Sequence, residues 1–209
     1  MAYAYPLMLD VTRRLIVIVG GGAVAARKTA GVIEAGATRV RVIAPERTVE
    51  FLNHASIEFI AARYVPAHLD KAGLVFAATN LPEVNDAVVR DARALGALVC
   101  RADSDDESPG DFITPAKFTE SVVTVTVSAG SAALSARIRD ELKLTWNARW
   151  SRMADAMETI RPDIRTSERD ISKRRAIFRD LASDEAMNVL DAGGIEALRS
   201  WVAGKLNDE

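Results

Sequence analysis

An apolar run that stops at three consecutive glycines and resumes as a helix-forming stretch, LIVIVGGGAVAARK over residues 15–28, constrains this chain more than any other feature. Residues 15–19 are apolar and mostly β-branched without alternation, the pattern of a strand covered on both faces of a parallel sheet. Gly20, Gly22 and Ala25 fit the G-x-G-x-x-G/A spacing of a dinucleotide-binding turn. Gly20 permits a tight turn, Gly22 admits close approach of backbone to a pyrophosphate, and Ala25 lets the helix lie close on the strand. The helix head adds amide donors and a partial positive charge for phosphates. A plain strand-to-helix turn also fits three glycines after an apolar run, so the surroundings decide. A helix over 23–34, a stop at Ala35-Gly36-Ala37 and a second strand over 40–44 complete a βαβ unit of about thirty residues.

The end of the second strand departs from the usual NAD pattern, in which an acid about 20 residues past the glycines binds the ribose 2′-hydroxyl. Here Ala44-Pro45 occupies the place and Glu46 follows one or two positions late. Glu46 reads equally as a ribose ligand or as an acid in the first turn of a helix over 48–53. Arg47 beside it suits a 2′-phosphate. NAD is the expected cofactor, with NADP the alternative.

Further along, strands are expected over 57–61, 74–78 and 97–102, with a helix over 82–95 whose apolar positions Val84, Ala87, Val88 and Ala92 recur at helical spacing before the Gly96 stop. Alternating strands and helices imply a Rossmann-like, doubly wound parallel sheet. After Asp103 the pattern changes. SDDESPGD, residues 104–111, is an acidic surface loop, and strands of an antiparallel kind are expected over 112–115 and 122–128. Ala129-Gly130-Ser131 leads into a helix over 132–146, and the rest reads as amphipathic helices broken at Pro162 and at Gly193-Gly194. The expected fold is therefore α/β: an NAD-binding Rossmann domain over 1–112, a small strand-containing dimerisation and substrate region over 113–145, and a helical C-terminal domain over 146–209. Apolar stripes on these helices need cover from the sheet domain or from a second copy of the chain, and a homodimer is expected.

Composition excludes several classes. With 49% hydrophobic and 27% charged residues the chain has the make-up of a globular protein with a real core. A net charge of −2, with no basic stripe interleaved with aromatics, gives no support for nucleic-acid binding. The one cysteine, Cys100, rules out an internal disulfide, and with His54 and His68 it draws no zinc pattern. No metal centre is expected, and both histidines read as surface residues. No run approaches a membrane span and no basic n-region precedes the first apolar residues, so a cytoplasmic setting is expected.

The chain resembles the precorrin-2 dehydrogenase domain of siroheme synthases, a family that includes bifunctional dehydrogenase/ferrochelatases. The segments that carry the resemblance are YPLMLDVTRRLIVIVGGGAVAARK, VIAPE, LVFAATNLPEVNDAVV, VCRADS, DFITPA, and VTVTVSAG followed by LSARIRDEL, in that order over residues 3–145. The resemblance implies oxidation of precorrin-2 to sirohydrochlorin with NAD as hydride acceptor and, in some members, insertion of ferrous iron as a substrate. It implies cofactor contacts at Gly22, Ala23 and Val24 beside Gly20, at Pro45 and Glu46, and at Thr79. Asp103 matches the family's aspartate at the end of a VNVADD-like strand, here VCRADS. The residues given carry no methyltransferase-like extension, and another protein is expected to supply precorrin-2.

A carboxylate at the carboxyl end of a strand by the switch point of such a sheet faces the ligand crevice. Hydride loss from a tetrapyrrole leaves a cation that must lose a proton, and metal insertion releases two. Asp103 fits a general base for both or an anion that stabilises the developing charge. It also fits a loop cap, and Asp105 or Asp106 competes for the role. The family's STGG-x-SP turn is shortened to SAGSA, so Ser128, Gly130 and Ser131 are weaker substrate candidates than a strand-to-helix turn with Ser131 as N-cap. Arg27 and Lys28 read as solvated helix surface or as anchors for substrate carboxylates. Asn85 reads as a nicotinamide contact or a backbone bond, and Cys100 as a small buried hydrophobe. Arg137 and Arg139 fit either substrate carboxylates or helix-surface pairs. A non-catalytic nucleotide- or tetrapyrrole-binding module is the alternative function. A small-alcohol dehydrogenase is disfavoured by the lack of a Tyr-x-x-x-Lys arrangement.

Overall fold

The computed structural model describes residues 5–46, 48, 51, 57–103 and 110–207, which form two compact units divided after Thr114. The first unit holds β1 (Leu15–Val19), α1 (Ala23–Glu34), β2 (Val40–Ala44), β3 (Ile57–Ala61), β4 (Ala72–Ala77), α2 (Pro82–Ala94) and β5 (Leu98–Arg101). All five strands run parallel in the order β3-β2-β1-β4-β5. The order reverses direction between β1 and β4, as it must when successive crossovers are right-handed and helices cover both faces.

Side-chain alternation along β1 explains why the run had no polar positions. Ile16 and Ile18 pack with Val42, Phe76 and the α1 residues Ala25, Ala26 and Val32. Leu15, Val17 and Val19 pack on the opposite face with Val75, Val99 and the α2 residues Val88 and Ala92. All five β1 side chains are buried, so both faces demand apolar groups. Each such side chain contributes about 1.5–3 kcal/mol on burial, which makes β1 the spine of the unit.

The second unit begins with β6 (Ala116–Glu120) and β7 (Val123–Val127), an antiparallel pair in which Phe118 faces Val125. The strand expected over 112–115 is corrected. Pro115 has no amide donor for a ladder, and Phe112 instead packs its ring against Phe76 at 5.5 Å, leaving the ladder to start at Ala116. The α3 helix (Ala132–Leu144) lies on both strands, and Phe118 stacks edge-on against Trp146. α4 (Arg149–Ser167), α5 (Ile171–Leu181) and α6 (Asp184–Asn207) close around Met153, Ile160, Ile164, Leu181 and Leu198, so the tail has a core of its own. The break expected at Pro162 is also corrected. Proline costs a helical hydrogen bond, but Ile160 and Ile164 on either side are 2% and 1% exposed, and their burial keeps α4 continuous. The expected break at Gly193-Gly194 is present as a non-helical Gly194 within α6. The helix expected over 48–53 falls mostly outside the described residues.

Gly20 makes a very close backbone approach at the end of β1. Its φ is +140°, and a Cβ there would lie 2.3 Å from the Ala78 carbonyl oxygen. Gly20→Ala is therefore expected to lower unfolding free energy by about 3 kcal/mol or more, read as a fall in the urea midpoint.

Candidate functional site

The register of the sheet brings four strand ends to one edge. Val19 of β1 stands beside Ile43 of β2 and Ala77 of β4, and Ala77 stands beside Arg101 of β5. The ladder continues one residue further, with Gly20 N–H donating to the Ile43 carbonyl, Ala78 N–H to Val19, and Ala102 N–H to Ala77, all at 2.8–2.9 Å. Gly20, Pro45, Glu46, Thr79 and Asp103 thus all follow strands at the carboxyl edge, where doubly wound sheets bind ligands.

The glycine turn has a distinct constraint at each position. Gly21 is held against β2, since a Cβ on it would meet Ala44 Cβ at 2.8 Å and the Glu46 carbonyl at 3.0 Å. Thr48 fastens the same turn by donating its hydroxyl to the Gly21 carbonyl at 2.7 Å. Gly22 is the N-cap of α1 in an extended conformation, and a Cβ on it would meet nothing within 4 Å. The α1 head has no side-chain cap and no acid in its first turn, and Ala23 and Val24 are its first residues. Open space before an uncapped, positively polarised helix end fits a diphosphate. Pro45 and Glu46 are both exposed after β2. The structure leaves Arg47 outside the described residues.

At the end of β4, Asn85 organises the backbone. This α2 residue is fully buried; its side-chain oxygen accepts from the Thr79 amide at 3.1 Å and hydroxyl at 2.8 Å, and its amide nitrogen donates to the Thr79 carbonyl at 3.0 Å. The backbone-bonding reading of Asn85 is the one its geometry satisfies. Thr79 is presented by these bonds at the edge.

Asp103 is gripped by the residue two before it. Arg101 Nε donates to Asp103 Oδ1 at 2.8 Å and Nη2 to Oδ2 at 3.3 Å, while Nη1 donates to Asp86 on α2. The Asp103 side chain is 21% exposed. Burial pushes its carboxyl upward, but hydrogen bonds from Arg101 and Asn85 outweigh that and hold it below the usual carboxylate range. Asp103 is consequently an anion at neutral pH. Its sequence neighbours Asp105 and Asp106 lie outside the described residues. Arg101 and Asp86 escaped the sequence reading, because only the fold brings α2 beside the end of β5.

Several other candidates have clear surroundings. Lys28 is not plain solvated surface: its ammonium reaches the Thr114 hydroxyl, and burial lowers its pKa, offset in part by Cys100. Cys100 is 3% exposed, with its thiol pushed up by burial. Arg137 pairs with Glu141 one turn on, and Arg139 with Asp140 and the Lys117 carbonyl. His68 accepts the Val65 amide, and His54 lies outside the described residues. Among the described residues no cluster of three or more His, Cys, Asp or Glu could hold a metal ion, and no helix is long and apolar enough to cross a membrane.

In the second unit, Ser128, Gly130 and Ser131 form the turn between β7 and α3. Ser131 caps α3 by accepting the Leu134 amide at 3.1 Å, and Gly130 has a φ of +70°. Ser135, buried on α3, accepts the Ala129 amide and donates to the Ser131 carbonyl.

Two substitutions separate binding from folding. Gly22→Ala places a methyl group in open space at an ordinary φ of −91°, so stability is expected to change by no more than about 0.5 kcal/mol while NAD affinity falls, as calorimetric titration would show. Asn85→Leu leaves the Thr79 amide and carbonyl unpaired beneath α2 and is expected to cost about 2 kcal/mol in denaturant unfolding.

A family model described as "Putative NAD(P)-binding" matches residues 7–116. The siroheme synthase of Chromobacterium violaceum is 32% identical over 201 residues, covering 94% of this chain and 42% of that protein. The siroheme synthase of Gluconacetobacter diazotrophicus is 32% identical over 185 residues, covering 84% and 39% respectively. The chain spans about two-fifths of the length of these curated relatives. A solved structure titled "SirC, precorrin-2 dehydrogenase" matches with a TM-score of 0.77 at 22% identity, over 96% of this chain and 100% of that one. At that identity the likeness establishes the fold: a Rossmann-like parallel sheet, a small antiparallel pair and C-terminal helices. The resemblance carried by the motifs of residues 3–145 is borne out by these relatives. Because the family model spans more than half of the residues, the chain belongs to the NAD(P)-binding family that the model describes.

Proposed function

We propose that the chain binds NAD and oxidises precorrin-2 to sirohydrochlorin in siroheme synthesis. The observation that carries this reading is the meeting, at one sheet edge, of a glycine turn shaped for a diphosphate and a carboxylate held ionised. The siroheme synthases to which it is related and the precorrin-2 dehydrogenase whose fold it shares supply the substrate class.

NAD, when bound, supplies the hydride acceptor. The amides at the α1 head beside Gly20, Gly22, Ala23 and Val24 hold the diphosphate. Pro45 and Glu46 after β2, and Thr79, fixed by Asn85, would make the remaining contacts to the cofactor. Asp103 stabilises by its charge the cation left on the macrocycle as hydride departs, and then accepts the proton that the macrocycle must lose. Ser128, Gly130 and Ser131 enter as substrate residues on the motif resemblance, with Ser131 also serving α3 as its cap.

The proposal extends to a homodimer built on residues 113–145, between a nucleotide-binding region over 1–112 and helices over 146–209. It is supported by a sheet of two strands among the described residues and by Leu134, Leu142 and Leu144 exposed on α3. A cytoplasmic setting is supported by the free, buried Cys100. Ferrous ion as a second substrate is favoured by the same carboxylate, which suits removal of pyrrole protons.

Anaerobic incubation with precorrin-2 and NAD is expected to raise the NADH and sirohydrochlorin absorption together, and Asp103→Asn to slow both by about 100-fold or more. A wild-type protein that forms no NADH would sink the reading. Adding ferrous ion to sirohydrochlorin is expected to give insertion faster than background, and a rate equal to background removes the second activity alone.

A further inference from the structure

Arg101 does more at the edge of the sheet than end a strand. Its side chain is 19% exposed, although arginines at strand ends commonly extend into water. Three of its nitrogens are committed: Nε and Nη2 to the two oxygens of Asp103, and Nη1 to Asp86. A planar guanidinium that meets both oxygens of a carboxylate fixes the plane and direction of that carboxylate, which a single ammonium cannot do. Asp86 comes from the turn of α2 that also carries Asn85, so one helix head braces the fork and presents Thr79. Among the described residues, the groups facing Asp103 are Arg101 from β5 and Asn85 from α2, with Asp86 of α2 behind the guanidinium.

Resting on the role given to Asp103 above, we propose that Arg101 is a positioning residue for the reaction, its fork aiming the Asp103 carboxylate into the crevice while Asp86 braces the fork from α2. A strap that merely ties α2 to β5 would also use the Arg101–Asp86 pair. The two differ in what reaches the reaction. Without the guanidinium, Asp103 loses its neutralising partner and two charge-assisted hydrogen bonds, so it takes up a proton at higher pH.

The test compares Arg101→Met, Arg101→Lys and Asp86→Asn in the precorrin-2 and NAD assay across acid and neutral pH. Arg101→Met is expected to lower kcat about tenfold or more, and to move the acid limb of the profile upward by about one pH unit, for loss of a charge-assisted pair. KM for NAD is expected to stay within about twofold, Arg101→Lys to recover part of kcat, since charge survives without the full fork, and Asp86→Asn to give a smaller fall, since the fork stays and only its brace is lost. An acid limb and kcat unchanged in Arg101→Met overturn the proposal and leave a strap. Should Arg101→Met fail to fold, Arg101→Lys and Asp86→Asn decide, and profiles equal to wild type in both overturn it. A wild type that forms no NADH sinks the proposed function instead. NMR titration of the Asp103 carboxyl carbon then decides for Arg101: a midpoint that rises in Arg101→Met supports the contact, and one that does not move overturns it.

Discussion

A backbone approach too close for any side chain governs everything built at the edge of the first unit. Where β1 ends, Gly20 passes so near the Ala78 carbonyl that no side chain fits between them. Gly21 is pressed, less tightly, against Ala44 of the neighbouring strand. At these two contacts the ends of β2, β1 and β4 come together against backbone atoms and a methyl group, none of which can shift a rotamer to relieve crowding. The third glycine is free of such contact, and that difference sorts the three: two are needed for folding, and one leaves room for something that is not protein.

The parts of this arrangement that follow from local pattern were legible beforehand. The unbroken apolar run of β1 announced a strand with two buried faces, and the spacing of Gly20, Gly22 and Ala25 placed the turn and helix that follow it. Long-range partners were not legible. Nothing in VCRADS indicates that Arg101 folds back on Asp103 and reaches Asp86, fifteen positions earlier, because that meeting depends on α2 packing beside β5. Lys28 looked like helix surface because its spacing on α1 says nothing about Thr114, eighty-six positions away. Pro162 misled in the opposite sense: its local preference to end a helix is overruled by two buried isoleucines, a tertiary effect that a linear reading underweights.

The electrostatics of the edge also have a direction. The α1 head offers unpaired positive polarity, whereas Asp103 and Asp86 outnumber the one guanidinium between them, so the carboxyl edge of the sheet is positive at β1 and negative at β5. A ligand with a diphosphate and a moiety that becomes positive in reaction matches that polarity at both ends. Because Asp103 is held as an anion by partners rather than by exposure, its stabilising contribution to the fold is present above the ordinary carboxylate range. It is lost only when acid carries the pH down through its lowered value.

Cys100 lies on β5 immediately before Arg101, almost wholly covered, with its thiol kept protonated by burial. A thiol in that state reacts slowly with alkylating reagents until the strand parts from its neighbours. Since the chain has one cysteine, the rate at which it becomes labelled is a clean clock for local opening of the crevice wall, readable without any engineered probe.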